Sequence, residues 1–215
     1  MNGVDVLIAI IDYGVGNLRS VEKAFHFIGC DAVITSDVKA ASEAECIVLP
    51  GVGAFSDAME NLRNAGMVGV VKDAIAANKP FLGICLGMQL LFDYSEEGGS
   101  RVEGLGIFRG AIKQLPQDIG LKVPHMGWNS LNMKEASPLF DKIPLNPYVY
   151  FVHSFYLAAE DRELVAATVE YGVRFDAAIG RGNVFATQFH PEKSGSIGLD
   201  MLRNWAALKP RISAV

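Results

Sequence analysis

Pro80-Phe81-Leu82-Gly83-Ile84-Cys85-Leu86-Gly87-Met88-Gln89 is the stretch that decides the fold. Pro80–Ile84 reads as a strand, and a helix begins near Leu86 with no intervening loop. Glycines two before and two after Cys85 fit a strand-to-helix turn too tight for a Cβ at either place. With cysteine in place of serine, this is the G-x-S-x-G nucleophile elbow. Outward from it, the first half of the chain repeats the same strand–helix alternation. Val4–Ile11 is a continuous apolar strand, as in a parallel sheet buried on both faces. Asn17 stands as an N-cap before a helix with Leu18, Val21, Phe25 and Ile28 on one face and Gly29 as its stop. Strands at Ala32–Thr35 and Cys46–Leu49 follow, then helices at Phe55–Asn64 and Met67–Ala77. This pattern predicts an α/β fold with a mostly parallel central sheet flanked by helices.

The second half changes character. Gly104–Leu115, Tyr148–Leu157, Glu163–Glu170, Ala177–Arg181 and Val184–Phe189 are β-rich segments broken by Gly, Pro and Asn, which predicts added antiparallel strands. A final helix spans about Gly198–Leu208. No repeat or linker interrupts the chain, so residues 1–215 are expected to form one domain.

Composition narrows the function classes. Half of the 215 residues are hydrophobic and 20% are charged, which excludes intrinsic disorder. The net charge of −5 lacks the basic stripe of a nucleic-acid binder. Val6–Ile11 is far shorter than the roughly 20 residues a membrane span needs, and no basic region precedes it, so neither a signal peptide nor a membrane helix is expected. Three cysteines without a CxxC pair suggest neither a disulfide framework nor a metal site, and point to a reducing, cytoplasmic setting.

Cys85 is the candidate nucleophile, placed at a helix N-terminus where thiolate is favoured. A lone cysteine also reads as a small buried hydrophobe; the two flanking glycines favour the nucleophile. Gln89, one turn on, lies on the same helix face. A thiol needs a base and the base an orienting group. His26 sits among Phe25 and Phe27 and reads as structural. His190 and Glu192, held two apart around Pro191 in extended backbone, can converge on one site, although His-x-Glu alone also fits a surface pair. Pro50-Gly51-Val52-Gly53 ends a strand with two glycines, which lets backbone N–H groups face an oxyanion at φ values other residues avoid. Gly14-Val15-Gly16 with Asp37 about twenty residues on imitates a dinucleotide fingerprint, but Arg19 stands where the third glycine belongs, so nucleotide binding is not expected.

Together, Gly83–Gln89, His190-Pro191-Glu192 and Pro50–Gly53 resemble the class I (triad) glutamine amidotransferases over essentially the whole chain. Asp12–Leu18, Pro124–Asn129, Tyr150–Ser154 and Gln188–Ser194 are similar to the glutaminase branch that serves imidazole glycerol phosphate formation in histidine biosynthesis. The resemblance implies a Cys85-His190-Glu192 triad hydrolysing glutamine to glutamate and ammonia through a thioester. It implies an oxyanion hole from Gly51, Val52, Gly53 and Leu86, and glutamine contacts from Gln89, Glu97, Ser154 and Phe155. It implies no cofactor or metal, and delivery of ammonia to a separate (β/α)₈-barrel cyclase subunit in a heterodimer. Asn17, Trp128, Tyr150 and Lys193 would meet that partner; as bland alternatives, the aromatics are core residues and Lys193 a solvated charge. Rival readings are a triad subunit of another synthase (aminodeoxychorismate or anthranilate type), a cysteine hydrolase on a similar sheet, and a non-catalytic binding module.

Overall fold

A computed structural model describes residues 7–208 except 119 and 135. The first half runs β1 (Ile8–Ile11), α1 (Leu18–Phe27), β2 (Ala32–Thr35), α2 (Val38–Glu43), β3 (Cys46–Gly51), α3 (Phe55–Asn64), α4 (Met67–Ala76), β4 (Phe81–Cys85) and α5 (Leu86–Gln89). Then come β5 (Phe92–Ser95), β6 (Val102–Glu103), β7 (Phe108–Gln114), β8 (His125–Ser130), β9 (Asn132–Met133), β10 (Tyr148–His153) and β11 (Phe155–Ala159). The chain continues through β12 (Val165–Tyr171), β13 (Val173–Arg181), β14 (Val184–Thr187) and α6 (Gly195–Ala206). Val4–Val6 of the expected first strand lie outside the described residues.

The main sheet runs β2-β1-β3-β4-β14-β13-β11-β7-β5-β6. Its first five strands are mutually parallel; β13, β11 and β7 pair antiparallel around them. β13 forks the sheet, taking β12 along one edge and β14 and β11 along the other. A separate antiparallel ribbon joins β8 to β10. This is the mixed α/β architecture that the alternation and the later β-rich segments imply.

Continuous apolar strands are needed because both sheet faces are covered. On β3, Cys46 and Val48 pack with α1 and α6, while Ile47 and Leu49 pack with α3 and α4. On the first side Phe25 of α1 meets Trp205 of α6 at 5.5 Å between ring centroids. α1 ends as its pattern implies, with Gly29 at φ +83°. Asn17 holds the N-cap position but its side chain makes no capping hydrogen bond.

Several local expectations needed correction. The helix after Cys85 is a single turn, because Leu90 to Phe92 are fully buried and the chain turns at once into β5. The dipole of a long helix therefore does not act on Cys85. Tyr148–Leu157 breaks at Ser154 into two strands in different sheets, β10 in the ribbon and β11 in the main sheet. α2 escaped the sequence reading: Asp37, weighed there only as a nucleotide ligand, accepts the Ala40 N–H at 2.9 Å as a helix cap. No helix among the described residues is long and apolar enough to cross a membrane.

Candidate active site

Parallel strands β3, β4 and β14 bring their C-terminal ends together, where open α/β sheets place their sites. Cys85 closes β4 at φ +55° and ψ −112°, a backbone that non-glycine residues rarely adopt. Both neighbouring glycines are required by space: a Cβ on Gly87 would overlap the Leu49 carbonyl, and one on Gly83 would sit 3.0 Å from Ala186 Cβ. Gly51 of β3 stands directly beside Cys85 in register. The two glycines of Pro50–Gly53 serve different ends, which corrects the expectation that both are there for φ. Gly53 has φ +93°, whereas Gly51 is there for room, since a Cβ would come 2.6 Å from the Tyr13 hydroxyl. Tyr13, assigned no role from sequence, donates that hydroxyl to the Pro50 carbonyl at 2.9 Å. Burial, with Cys85 nearby, holds its own ionisation well above the usual range.

Past β14 the chain stays extended only to His190, and Pro191–Lys193 form a 3₁₀ turn instead of the expected extended pair. The turn brings Glu192 back so that its Oε1 lies 2.8 Å from His190 Nδ1, with both side chains almost fully buried. Ser194 donates its hydroxyl to the His190 carbonyl at 2.7 Å and accepts the Tyr150 N–H at 3.0 Å. His190 N–H in turn donates to the Tyr150 carbonyl at 3.0 Å, so the ribbon is stitched to this turn. His190 Nε2 makes no well-formed hydrogen bond in the resting site, as is common before substrate arrives. Burial alone would lower the imidazole pKa; the Cys85 sulfur and the Glu192 carboxylate outweigh it and push it up to about 10. Away from the site, burial drives the Cys46 thiol up to about 12, with Glu45 and Cys30 adding, and burial raises Cys30 against Arg203.

The pocket beside Cys85 is walled by Val52, Gly53, Leu86, Gln89, Glu97, Ser154, Phe155 and His190, together with Val152 and His153. All the expected glutamine contacts therefore border one cavity. Of the expected oxyanion residues, Val52, Gly53 and Leu86 line it and Gly51 does not; Glu192 does not line it either. Glu97 has an unforeseen second task, accepting the Phe55 N–H at the start of α3 at 2.6 Å. Gln89 donates to the Phe155 carbonyl at 3.1 Å and to Gln188 Oε1 at 2.9 Å.

His153 and His125 were also missed as a pair. The Phe155 carbonyl can only accept, so His153 Nδ1 carries the proton toward it at 2.9 Å. His153 Nε2 must then accept from His125 Nδ1, also at 2.9 Å. Burial depresses His125 to about 4 and His153 to about 3, the latter also through His125. Both rings are neutral in the fold, against 6.5 in the unfolded chain. As pH falls below 6.5 the unfolded chain binds protons that the folded pair refuses, so stability drops from there toward pH 4. His190 works oppositely: its contribution is complete below 6.5 and is lost as pH rises toward 10. Urea unfolding across pH 7 to 4.5 is expected to show a decline of up to roughly 2.7 kcal/mol per pH unit, the limit for two protons. A flat profile would remove the neutral pair.

The bland reading as a core residue fails for Trp128, while Tyr150 is half-buried. Trp128 is 55% exposed and packs edge-on to Tyr150 at 6.1 Å, and Lys193 Nζ stands 6.0 Å from the Tyr150 ring centroid. The same face of the ribbon exposes Met126 and Tyr148. Asn17 is exposed at the start of α1. Among the described residues no three His, Cys, Asp or Glu side chains are grouped to hold a metal ion.

A cysteine on a strained elbow, an imidazole backed by a glutamate and a glycine-rich strand end on this sheet form the arrangement that nucleophilic acyl transfer requires. The chain belongs to the class I glutamine amidotransferases, whose family model matches residues 9–207. Its relatives within that class include imidazole glycerol phosphate synthase subunits HisH. The one from Caldanaerobacter subterraneus subsp. tengcongensis is 52% identical, with 94% of this chain and 98% of the relative covered. The one from Geobacter sulfurreducens is 50% identical, with 94% and 99% covered. Among solved structures, PurLQS from Thermotoga maritima matches with TM-score 0.73 at 20% identity, covering 94% of this chain and 98% of that one, which speaks for the fold. A structure described as a glutamine amidotransferase matches with TM-score 0.70 at 16% identity, covering 94% and 100%. The resemblance read from the motifs holds at both levels, class and branch.

Proposed function

We propose that this chain, as one domain, is the glutaminase subunit of an imidazole glycerol phosphate synthase, with Cys85, His190 and Glu192 carrying the reaction. The observation that carries the residue assignment is the strained Cys85 beside an imidazole held by a buried carboxylate. The Cys85 sulfur, as thiolate, attacks the carboxamide carbon of glutamine, and the imidazolium beside it holds the proton needed later. Backbone N–H groups of Val52, Gly53 and Leu86, which line the pocket, receive the oxyanion. His190 gives its proton to the departing ammonia, leaving a glutamyl thioester on Cys85. Water then attacks, with His190 taking its proton, and glutamate leaves. Gln89 and Glu97 hold the glutamine head group, with the backbone at Ser154 and Phe155.

Ammonia passes to a (β/α)₈-barrel cyclase, which joins it to a phosphoribosyl-aminoimidazole-carboxamide nucleotide. The products are imidazole glycerol phosphate and an aminoimidazole carboxamide ribotide. Free thiols at Cys30, Cys46 and Cys85 suit a cytoplasmic setting. The exposed Trp128 face, with Tyr150, Lys193 and Asn17, is the surface offered to the cyclase. Exposed aromatics that become buried dominate interface energies. Trp128→Ala is therefore expected to raise the dissociation constant for the cyclase by at least about tenfold, and to leave the melting temperature of the free chain nearly unchanged. Titration of labelled chain with cyclase measures it; unaltered affinity removes Trp128 from the interface. The whole reading is tested by glutamine-dependent synthesis in the reconstituted pair. The nucleotide-bound cyclase is expected to raise kcat for glutamine more than it lowers KM, and equal kcat with and without it rejects the coupling.

A further inference from the structure

Gln188 is fully buried, and a buried amide is costly unless its polar atoms are used. Its surroundings leave one orientation. The Phe155 carbonyl is an obligate acceptor, already taking the His153 Nδ1–H at 2.9 Å, so the Gln89 amide must turn its nitrogen toward it. The same Gln89 nitrogen donates its other hydrogen to Gln188 Oε1 at 2.9 Å. Gln188 is thereby forced to present Nε2 to the other side, where it lies 3.6 Å from Cys85 Sγ. Its backbone is pinned as well, with its N–H donating to the Ala177 carbonyl at 2.8 Å.

We propose that Gln188 is a further catalytic residue, whose side-chain N–H donates to the Cys85 sulfur and holds it as an oriented thiolate while its Oε1 positions Gln89 in the substrate pocket. The inference rests on reading Cys85 as the nucleophile. It supplies what the single turn of α5 does not, a fixed dipole aimed at the sulfur. A hydrogen bond to an ionised acceptor is roughly twice as strong as a neutral one, because the charge pulls on the N–H dipole. His190 and Gln188 thus divide the work on one atom. The imidazolium carries the mobile proton, and the amide gives a donor that cannot be transferred. One residue also ties the nucleophile to a pocket wall, so the sulfur and the bound carboxamide keep a common register.

Gln188→Met keeps the side-chain volume and removes both polar ends. The test is the pH profile of Cys85 alkylation by iodoacetamide in the cyclase complex, beside steady-state glutaminase kinetics. Iodoacetamide needs no glutamine contacts, so this arm reports on the sulfur alone. The alkylation profile is expected to move to higher pH, making the reaction about tenfold slower at neutral pH. Glutaminase kcat is expected to fall by at least the same factor, with ammonium-dependent synthesis unchanged. A purely structural role through Gln89 would raise KM and leave the alkylation profile where it was, and that result overturns the proposal. Gln188→Leu is the second variant if the methionine chain does not fold. Failure of the nucleophile reading itself looks different: in that case Cys85→Ala still hydrolyses glutamine, whatever Gln188 does to alkylation.

Discussion

Cys85→Ala is expected to abolish glutamine-dependent synthesis while leaving the chain folded, bound to its cyclase and able to support synthesis from free ammonium. The substitution removes one sulfur from a side chain that borders an open pocket, so packing changes little. It also relaxes nothing in the elbow that the glycines do not already permit. Chemically the loss is total for the covalent route, because no other thiol can replace it. Cys46 is fully buried on the sheet face toward α1 and α6, and Cys30 lies beyond α1, away from the imidazole. A drop in kcat on the order of 10⁴-fold or more is therefore expected, as for other deleted nucleophiles. Cys30→Ala and Cys46→Ala should keep most of the activity. Comparing glutamine with ammonium as nitrogen source in the same assembled complex separates lost chemistry from lost folding. Retained glutaminase activity in Cys85→Ala would contradict the assignment.

The second large effect separates the base from the group that orients it. His190→Asn is expected to lose on the order of 10⁵–10⁶ in kcat, and Glu192→Gln about a hundredfold less. In the proposed reaction the imidazole moves the proton twice, to ammonia and from water, whereas Glu192 would act through its 2.8 Å contact with Nδ1. Glu192→Gln also removes one of the two influences that raise His190, so its residual activity should fall off at a lower pH than that of the unaltered chain. Steady-state rates across pH 6 to 9 measure both effects. Equal losses, or a larger one at Glu192, would overturn this assignment of roles.

The elbow was legible because its chemistry is local. A Cβ at Gly83 or Gly87 would strike Ala186 or the Leu49 carbonyl, so the glycines must flank Cys85 in sequence. The parallel half of the sheet was legible for a similar reason, since burial on both faces writes itself as an unbroken apolar run. β5 and β8 were not. Phe92–Ser95 is too short and mixed to show a period, and His125–Ser130 carries Gly127 at φ +130° amid polar residues. Tertiary pairing alone makes these segments strands. The same limit hid the polar network of the site. Gln188 was visible as part of a motif, but its partners Cys85 and Gln89 lie about a hundred residues away, and only β14 pairing with β4 brings them together. Tyr13 and the His125–His153 pair were silent for that reason too, whereas Trp128 and Tyr150 could be placed only once the ribbon showed which face was left uncovered.

The claim at the centre is that glutamine is cleaved on Cys85, and the most direct measurement is labelling with a diazo-ketone analogue of glutamine followed by peptide mapping. One equivalent of label on Cys85 is expected, with glutaminase activity lost in proportion, ammonium-dependent synthesis preserved, and no incorporation into Cys85→Ala. Label on Cys30 or Cys46 instead, or glutaminase activity that survives complete labelling of Cys85, would contradict it.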